Sequence, residues 1–288
     1  MTDSNFPKIF VVILNFNGAS TLPACLTSVF QSDYPNFEII VVDNDSKDGS
    51  FEQAKSNFSR LYLIKNSKNL GFSQGNNVGI RYALEKFTDY VFLLNNDAII
   101  EKGTLSLLEK TARENSTVGI ISPLIMEGDN KNIWFAGGEI QWNKMRSRHL
   151  TIPASELPYS SEYLSGCAML INKAVFQKIG LFDERFFLYY EDADFSLRAK
   201  KANFDLLIDP SIRIKHLEQS NQSDSKVYWL VLSGLLFFHI HGSLSQKIWF
   251  FFYTAMRKIK NFYKYHLRKN FSAKKVYLAY QDFKKLPK

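Results

Sequence analysis

The chain has 288 residues, of which 45% are apolar and 15% aromatic, so it can bury a large core and is not an intrinsically disordered protein. Its net charge of +8 is unevenly distributed, because residues 247–288 hold twelve lysines and arginines against one acid, whereas residues 1–246 sum to −3. Two cysteines and the lack of a basic, apolar leader exclude a disulfide-rich secreted domain and predict a cytoplasmic protein.

The first two predicted strands each end in polar residues. Apolar, β-branched residues 8–15 predict a strand, and apolar residues recur at helical spacing over residues 22–29. A second strand over residues 37–42 ends at Asp43, the first residue of an acidic loop. Two successive strand–helix units with short connections predict parallel pairing with right-handed crossovers.

A segment rich in asparagine and glycine follows a short third strand. Residues 61–64 predict that strand, and residues 66–79 contain four asparagines and three glycines. Glycine lets a ligand approach the backbone and the amides can bond a polar ligand, so a ligand-binding loop is predicted, with a helix from Val78 onward. No G-x-G-x-x-G pattern follows the first strand, which excludes a dinucleotide fingerprint. A plain loop is the alternative.

Residues 90–100 carry the feature on which the functional interpretation is built. Apolar residues 90–94 predict a strand buried on both faces, which ends at Asn95, Asn96 and Asp97. Open α/β sheets bind ligands at the carboxyl ends of their strands. Asn95 and Asp97 share one face in extended geometry, where both could approach a cation or a phosphate. A polar turn after a core strand is the alternative.

The chain then continues with further helices and strands. A helix is predicted over residues 105–112, and strands are predicted over residues 118–121, 169–171 and 206–210. A loop-rich insertion after the first of these strands has two tryptophans beside a glycine pair, for which packing is favoured over sugar stacking. Cys167 is interpreted as a small core residue and not as a nucleophile.

Acidic residues cluster a second time after an aromatic run. Glu191, Asp192 and Asp194 precede a helical pattern, so they are predicted at a helix N-terminus, where carboxylates are stabilised. Arg198 lies one turn after Asp194 and can pair with it. Acids that merely begin a helix are the alternative.

These motifs together resemble glycosyltransferase family 2. VVILNFNG, IIVVDNDSKDGS, NLGFSQGNNVGI and LLNNDA occur in the order and spacing of that family's rhamnosyltransferase-like branch, and the resemblance covers about residues 8–220. It implies a GT-A fold, an α/β architecture with a Rossmann-like mixed sheet flanked by helices. It also implies inverting transfer of a sugar, with dTDP-rhamnose as the leading donor, from a nucleotide diphosphate to a hydroxyl of a lipid-linked or polysaccharide acceptor.

The resemblance also assigns roles to individual residues. Asp192 is expected to be the general base, since transfer to a hydroxyl needs a group that takes its proton. The residues expected to orient the acceptor or neighbouring side chains are Glu191, Asp194 and Arg198. The residues expected to bind the nucleotide sugar are Asn15, Asn17, Asp43, Asn44, Gly71, Asn76 and Asn96. A divalent metal, Mg²⁺ or Mn²⁺, is expected at Asp97, Asn95 and His216.

The expected metal site departs from the family pattern at one position. Asn95 stands where the usual D-x-D motif has its first acid, and an amide oxygen ligates a cation without contributing charge. We therefore expect metal dependence with lower affinity. His216 would complete the site or contact the diphosphate, and a purely structural histidine is the alternative.

The C-terminal region is predicted to be a separate helical unit, with domains at residues 1–225 and 226–288. Polar residues divide the apolar run of residues 227–256 into pieces shorter than the roughly 20 residues that a crossing helix needs. We expect an interfacial pair of helices, followed by basic and aromatic residues, including Lys269, that contact anionic lipids on the inner face of the membrane. Nucleic-acid binding is not expected, although the same charges would permit it. A helical face packed on the catalytic domain is the other alternative.

The sequence favours two function classes, ahead of a nucleic-acid-binding protein and of nucleotidyl transfer on a similar sheet, which would want a lysine- and arginine-rich phosphate loop near Asn15. The first is an inverting, metal-assisted glycosyltransferase at the membrane face. The second is a catalytically degenerate protein of the same fold that recruits partners to the membrane, and its main support is Asn95 in place of an acid.

Overall fold

The computed structural model describes residues 6–217, 224–268 and 271–286, and Lys269 lies outside this range. The strands are β1 Ile9–Asn15, β2 Phe37–Asp43, β3 Tyr62–Lys65, β4 Tyr90–Asn95, β5 Ala98–Ile99, β6 Val118–Glu127, β7 Ile133–Phe135, β8 Gly138–Gln141, β9 Arg146–His149, β10 Tyr159–Ser160, β11 Ala168–Asn172 and β12 Asp205–His216. The helices are α1 Leu22–Phe30, α2 Ser50–Asn57, α3 Gly71–Glu85, α4 Thr104–Glu114, α5 Lys173–Ile179, α6 Glu191–Lys201, α7 Asp224–His241, α8 Leu244–Arg268 and α9 Phe271–Phe283.

A ten-stranded sheet forms the centre of the fold. Eight strands follow the order β10-β12-β6-β11-β4-β1-β2-β3, with β5 paired to β12 and β7 to β6. The four neighbouring strands β4, β1, β2 and β3 are parallel to one another. Strand β11 is antiparallel to both β4 and β6. The apolar runs of β1 and β4 are buried because the sheet is covered on both sides. The predicted α/β architecture with a mixed, Rossmann-like sheet is confirmed.

Helix α3 lies closer to the sheet than a larger residue would allow. A Cβ atom on Gly79 would lie 2.6 Å from Val12 Cγ1 and 3.0 Å from Val42 Cγ2. The helix begins at Gly71, so the prediction of a loop up to Val78 was wrong. Glycines at every fourth position fall on one helical face, and here they let the helix backbone contact β1 and β2.

Strand β12 is longer than the sequence indicated. It was predicted to end at Pro210, which has no N–H to give to a sheet, but it continues to His216. The register against β6 shifts between Asp209 and Arg213, and this irregularity accommodates the proline. The extension pairs His216 with Ala98 of β5 and so carries the histidine to the carboxyl end of β4.

Helix α7 corrects the expectation of two interfacial helices. Its apolar side chains, including Leu235, Phe237 and Phe238, are buried, and the ring of Phe237 lies 5.2 Å from that of Tyr190. Helix α8 presents many large apolar side chains at the surface, among them Trp249, Phe251 and Ile259. Within the described residues, we find no helix with the length and apolarity needed to cross a bilayer.

The close approach of α3 to the sheet gives a stability prediction. Gly79→Val should lower the free energy of unfolding by about 1–3 kcal/mol, because the added methyls overlap buried Val12 and Val42. Glu85→Val places the same side chain at an exposed position of α3 and should cost only about 0.5 kcal/mol. Urea denaturation of both variants measures the difference, and equal losses would contradict the packing account.

Candidate active site

The buried side chain of Asn15 joins three loops at the carboxyl end of the sheet. Its Nδ2 lies 2.9 Å from Asp43 Oδ1, at the end of β2, and 2.8 Å from Ser50 Oγ, at the start of α2. Its Oδ1 accepts a hydrogen bond of 2.9 Å from Asn96 Nδ2, just after β4. Parallel register brings the ends of these strands together, since Asn15 pairs with Asp43 and Leu14 with Asn95.

The first of two neighbouring clefts opens above these loops. This amide cleft has a volume of about 620 Å³, and four residues predicted to bind the nucleotide sugar line it: Asn17, Asn44, Gly71 and Asn96. The other three, Asn15, Asp43 and Asn76, are buried behind its wall. Asn76 Nδ2 donates to the Phe72 carbonyl, so this side chain stabilises the first turn of α3.

The residues predicted to bind a metal lie at one corner of the amide cleft, where Asp97 and Asn95 line it and His216 lines the neighbouring second cleft. Asp97 Oδ1 and His216 Nε2 are 3.2 Å apart, and the two side chains are only 14% and 6% exposed. Apart from this mutual contact, neither atom has a hydrogen-bond partner among the described residues. Asn95 lines the cleft beside them. Buried oxygen and nitrogen atoms with no other partner in the described part of the chain fit the ligands of a divalent cation.

The second cleft, the acid cleft, contains Glu191 and Asp192 and has a volume of about 410 Å³. Phe72, Asn95, Leu188 and Lys226 line both clefts. A ligand at this junction could therefore reach both. Asp97 and Asp192, which are distant in sequence, thus line two adjoining clefts.

The two adjacent acids of the acid cleft differ in their surroundings. Burial, and next the negative charge of Asp192, raises the pKa of Glu191 well above its usual range. Burial also raises the pKa of Asp192, although its carboxylate accepts hydrogen bonds from the Gly166 amide at 3.1 Å and the Ala193 amide at 2.8 Å. Glu191 Oε2 has no partner in the described part of the chain. Of the two acids, Glu191 is therefore the one whose neutral form is stabilised more by burial.

Asp194 is buried away from the clefts. Its Oδ2 accepts a bond of 2.8 Å from Arg198 Nε, as the i, i+4 spacing predicted. Its Oδ1 lies 2.8 Å from Nε2 of His241, at the end of α7. Arg198 also donates to the carbonyls of Ile179 and Leu181. Asp194 and Arg198 thus fix the helix that begins with Glu191, and they do so partly through the C-terminal region.

Helix α7 also contacts the segment just before the acids. Tyr189 and Tyr190 have φ values of 71° and 67°, which non-glycine residues rarely adopt. Ser233 Oγ donates to the Leu188 carbonyl at 2.7 Å, and the ring of Trp229 stacks on that of Phe187 at 4.2 Å. These contacts hold the unusual backbone that turns α6 towards the acid cleft.

Sequence reasoning missed the residues that α7 contributes. Lys226 and Trp229 line the amide cleft, and His241 bonds Asp194. The predicted boundary at residue 226 falls in the first turn of α7. The polar histidines in an apolar run were interpreted only as breaks in a membrane span. A buried polar partner is the other explanation for such a pattern.

The sequence comparisons agree with this arrangement. A family model described as Glycosyl transferase family 2 matches residues 10–180. The dTDP-rhamnosyl transferase RfbF of Shigella flexneri is 25% identical over 210 residues, which cover 73% of this chain and 69% of the relative. The N-acetylglucosaminyl-diphospho-decaprenol L-rhamnosyltransferase of Mycobacterium tuberculosis is 24% identical over 232 residues, covering 72% and 75%. The resemblance found in the four motifs is confirmed.

The structural comparisons concern the fold. GalNAc-T7 with UDP, GalNAc and Mn²⁺ superposes with a TM-score of 0.65 at 20% identity, covering 80% of this chain and 48% of that one. The mannosyltransferase PcManGT of Pyrobaculum calidifontis, with GDP-Man and Mn²⁺, gives 0.62 at 13% identity, covering 99% and 77%. The chain therefore has a GT-A-like fold.

The raised pKa of Glu191 gives a pH-dependent prediction. A carboxyl whose pKa is raised by folding stabilises the protein below its unfolded pKa of about 4.3, and this contribution is lost as pH rises through the folded pKa. Glu191→Gln stays neutral, so it should raise the free energy of unfolding at pH 8 by about 1 kcal/mol or more.

At pH 4 the variant and the parent protein should have nearly equal stability. Urea denaturation at both pH values tests this. A Glu191→Gln variant less stable than the parent at pH 8 would show that the ionised carboxylate is required for folding.

Proposed function

The chain belongs to glycosyl transferase family 2 and is a glycosyltransferase, and from this premise we propose that it transfers its sugar with inversion across the junction of the two clefts. The amide cleft would hold the nucleotide diphosphate and the acid cleft the acceptor. The observation that supports this most is that the two clefts share Phe72, Asn95, Leu188 and Lys226. A sugar at the junction would have the metal-binding corner on one side and Asp192 on the other.

Asp192 is proposed as the general base. Its carboxylate lines the acid cleft, and the Gly166 and Ala193 amides fix its orientation. Because burial raises its pKa, its carboxylate is a stronger base than that of an exposed aspartate. It would remove the acceptor proton as the hydroxyl oxygen attacks the anomeric carbon, and attack from the face opposite the leaving diphosphate inverts that carbon.

The leaving diphosphate would be stabilised from the amide cleft. Asp97, Asn95 and His216 are proposed to hold a divalent cation, which would neutralise charge on the diphosphate oxygens when bound. Lys226 lines the same junction and would add a positive charge to the diphosphate from α7. Its positive charge would support the diphosphate at a site where the neutral Asn95 attracts a metal ion less strongly than an acid would.

The donor and acceptor are proposed from the relatives. One relative is named a dTDP-rhamnosyl transferase, and another an L-rhamnosyltransferase for N-acetylglucosaminyl-diphospho-decaprenol. We therefore infer dTDP-rhamnose as the donor and a lipid-linked acceptor, used on the cytoplasmic face of the membrane. The scaffold alternative is weaker, because Asp97 and Asp192 both line clefts suited to substrate.

Helix α8 is proposed as the membrane-binding element. Phe251, Phe252 and Ile259 are 67%, 55% and 60% exposed, and lysines and arginines accompany them along the helix. Apolar side chains beside basic ones suit insertion at the level of anionic headgroups. Membrane association here would bring the clefts close to a lipid-linked substrate.

The base assignment is tested by Asp192→Asn. This variant should lose about 1,000-fold or more in transfer rate, because its side chain cannot accept the proton, while nucleotide binding in the amide cleft is unchanged. Asp89→Asn, at the opposite end of β4, is the matched control and should retain activity. Release of dTDP from dTDP-rhamnose measures the transfer rate. Calorimetric binding of dTDP with Mn²⁺ measures nucleotide binding. Near-normal turnover in Asp192→Asn would remove the base assignment.

The role of α8 is tested on vesicles that contain phosphatidylglycerol. The double variant Phe251→Ser, Ile259→Ser should bind vesicles at least about tenfold more weakly. Burying one such side chain contributes about 1.5–3 kcal/mol to the binding free energy. Phe87→Ser is the control, because Phe87 is 89% exposed but lies at the end of α3. Co-sedimentation measures binding, and equal binding of all three proteins would contradict this role for α8.

A further inference from the structure

A third cavity lies between the hairpin of β8 and β9 and the helices α7 and α8. This arginine cavity has a volume of about 220 Å³ and is lined mainly by apolar side chains, among them Leu230, Phe238 and Phe250. Two guanidinium groups, those of Arg146 and Arg257, share its wall. Trp249 Nε1 donates to the Asn143 carbonyl at 3.0 Å and fixes α8 against the hairpin. The cavity is thus formed jointly by the hairpin and the proposed membrane-binding helix.

Within the described residues, no acidic side chain neutralises the charges of the two arginines. Arg146 Nε donates to the neutral amide oxygen of Gln141 at 2.8 Å, and the Arg257 guanidinium lies 6.0 Å from the centre of the Tyr253 ring. No carboxylate in the described parts of the chain forms an ion pair with either arginine. Arg146 is exposed and Arg257 partly buried, and two guanidiniums at the wall of an otherwise mainly apolar cavity suit an anion such as phosphate, which arginine binds with paired N–H groups.

The arginine cavity adjoins the acid cleft. Ser147, Tyr190 and Leu230 line both, and the Ser147 amide donates to Tyr190 Oη at 3.2 Å between them. Tyr190 is followed two positions later by Asp192, the proposed base. A molecule with its reacting sugar beside Asp192 would therefore place its next group in the arginine cavity.

On its other side, the cavity continues along α8. Arg257 also lines a shallow depression with Lys260 and Lys264, so cations follow one face of the helix away from the cavity. Large apolar side chains are exposed on the same helix. A ligand that leaves the cavity in this direction would meet the proposed membrane surface, where a phosphate belongs at the headgroup level and a hydrocarbon chain below it.

We propose that the arginine cavity binds the diphosphate and the first carbons of a lipid-diphosphate-linked acceptor, with Arg146 and Arg257 as its phosphate ligands. The inference rests on the proposed function and deepens it, because it commits the acceptor to a lipid diphosphate and excludes a neutral glycolipid. The sugar of this acceptor lies in the acid cleft, and its lipid chain follows α8 to the bilayer.

The test uses the full chain and farnesyl diphosphate, a lipid diphosphate without a sugar. Binding is measured calorimetrically with the amide cleft saturated by dTDP and Mn²⁺. Arg146→Ala and Arg257→Ala should each weaken binding about tenfold or more, because each removes a charge-assisted contact. Arg148→Ala is the matched control: Arg148 is exposed on β9 like Arg146, two residues away, but does not line the cavity, and its loss should change binding less than about twofold.

Two further ligands separate phosphate from lipid. Farnesol and inorganic diphosphate should each bind at least about tenfold more weakly than farnesyl diphosphate. Farnesol lacks the diphosphate group, and inorganic diphosphate lacks the hydrocarbon chain. Dihexanoyl phosphatidylglycerol should compete poorly. Equal competition by this phospholipid would assign the arginines to headgroup binding and overturn the proposal, as would unchanged affinity in Arg146→Ala and Arg257→Ala.

Release of dTDP from dTDP-rhamnose is measured on the same preparation. If release occurs but farnesyl diphosphate does not bind, the acceptor inference is wrong and the proposed transferase function stands. If farnesyl diphosphate binds as expected but no nucleotide sugar in a panel releases its diphosphate, the proposed donor chemistry is wrong and the lipid-diphosphate site stands.

Discussion

The side-chain amide of Asn15 is the interaction on which the amide cleft depends. The residue is fully buried at the end of β1, where its nitrogen contacts Asp43 and Ser50 and its oxygen accepts from Asn96. A buried amide is stable only when its donors and acceptor are paired, so the loops after β2 and β4 are held in one arrangement. That arrangement puts Asn17 and Asn44 on the wall of the cleft and leaves Asn15 itself behind it. Asn15 therefore positions the residues available to a ligand.

A second constraint comes from the C-terminal region. Helix α7 bonds the Leu188 carbonyl and Asp194, stacks on Phe187 and brings Lys226 to the junction of the clefts. Residues on both sides of the acids Glu191 and Asp192 are thus held by an element that follows them in sequence. The proposed base and the proposed membrane-binding helix α8 are thereby connected through α7. This connection places the acid cleft, the arginine cavity and the exposed face of α8 in a continuous series.

Much of this arrangement was predictable because it depends on local patterns. Buried strands of a parallel sheet are continuous apolar runs, and those ending at Asn15, Asp43 and Asn95 were identified with their polar ends. The acids at the start of α6 and the Arg198–Asp194 pair follow from helical spacing. The GT-A-like fold was inferred from the order of four motifs.

The remaining features depend on contacts between distant residues. Helix α3 was placed too late because its glycines serve packing against β1, and glycine alone is a loop signal. The burial of α7 could not be distinguished from membrane insertion, because both place apolar side chains out of water. His241 bonds Asp194 across 47 positions, and Arg146 and Arg257 share a cavity across 111, which no local pattern encodes.

The central claim is that one ligand spans a metal-binding corner at Asp97 and a base at Asp192. A crystal structure of the protein with Mn²⁺ and dTDP-rhamnose, or with Mn²⁺, dTDP and rhamnose, tests this claim directly. The anomalous signal of manganese locates the metal, and the electron density locates the nucleotide and the sugar. The account predicts an anomalous peak in contact with Asp97, with the nucleotide in the amide cleft and the sugar at the junction facing Asp192. A peak away from Asp97, or a sugar bound out of reach of Asp192, would contradict it.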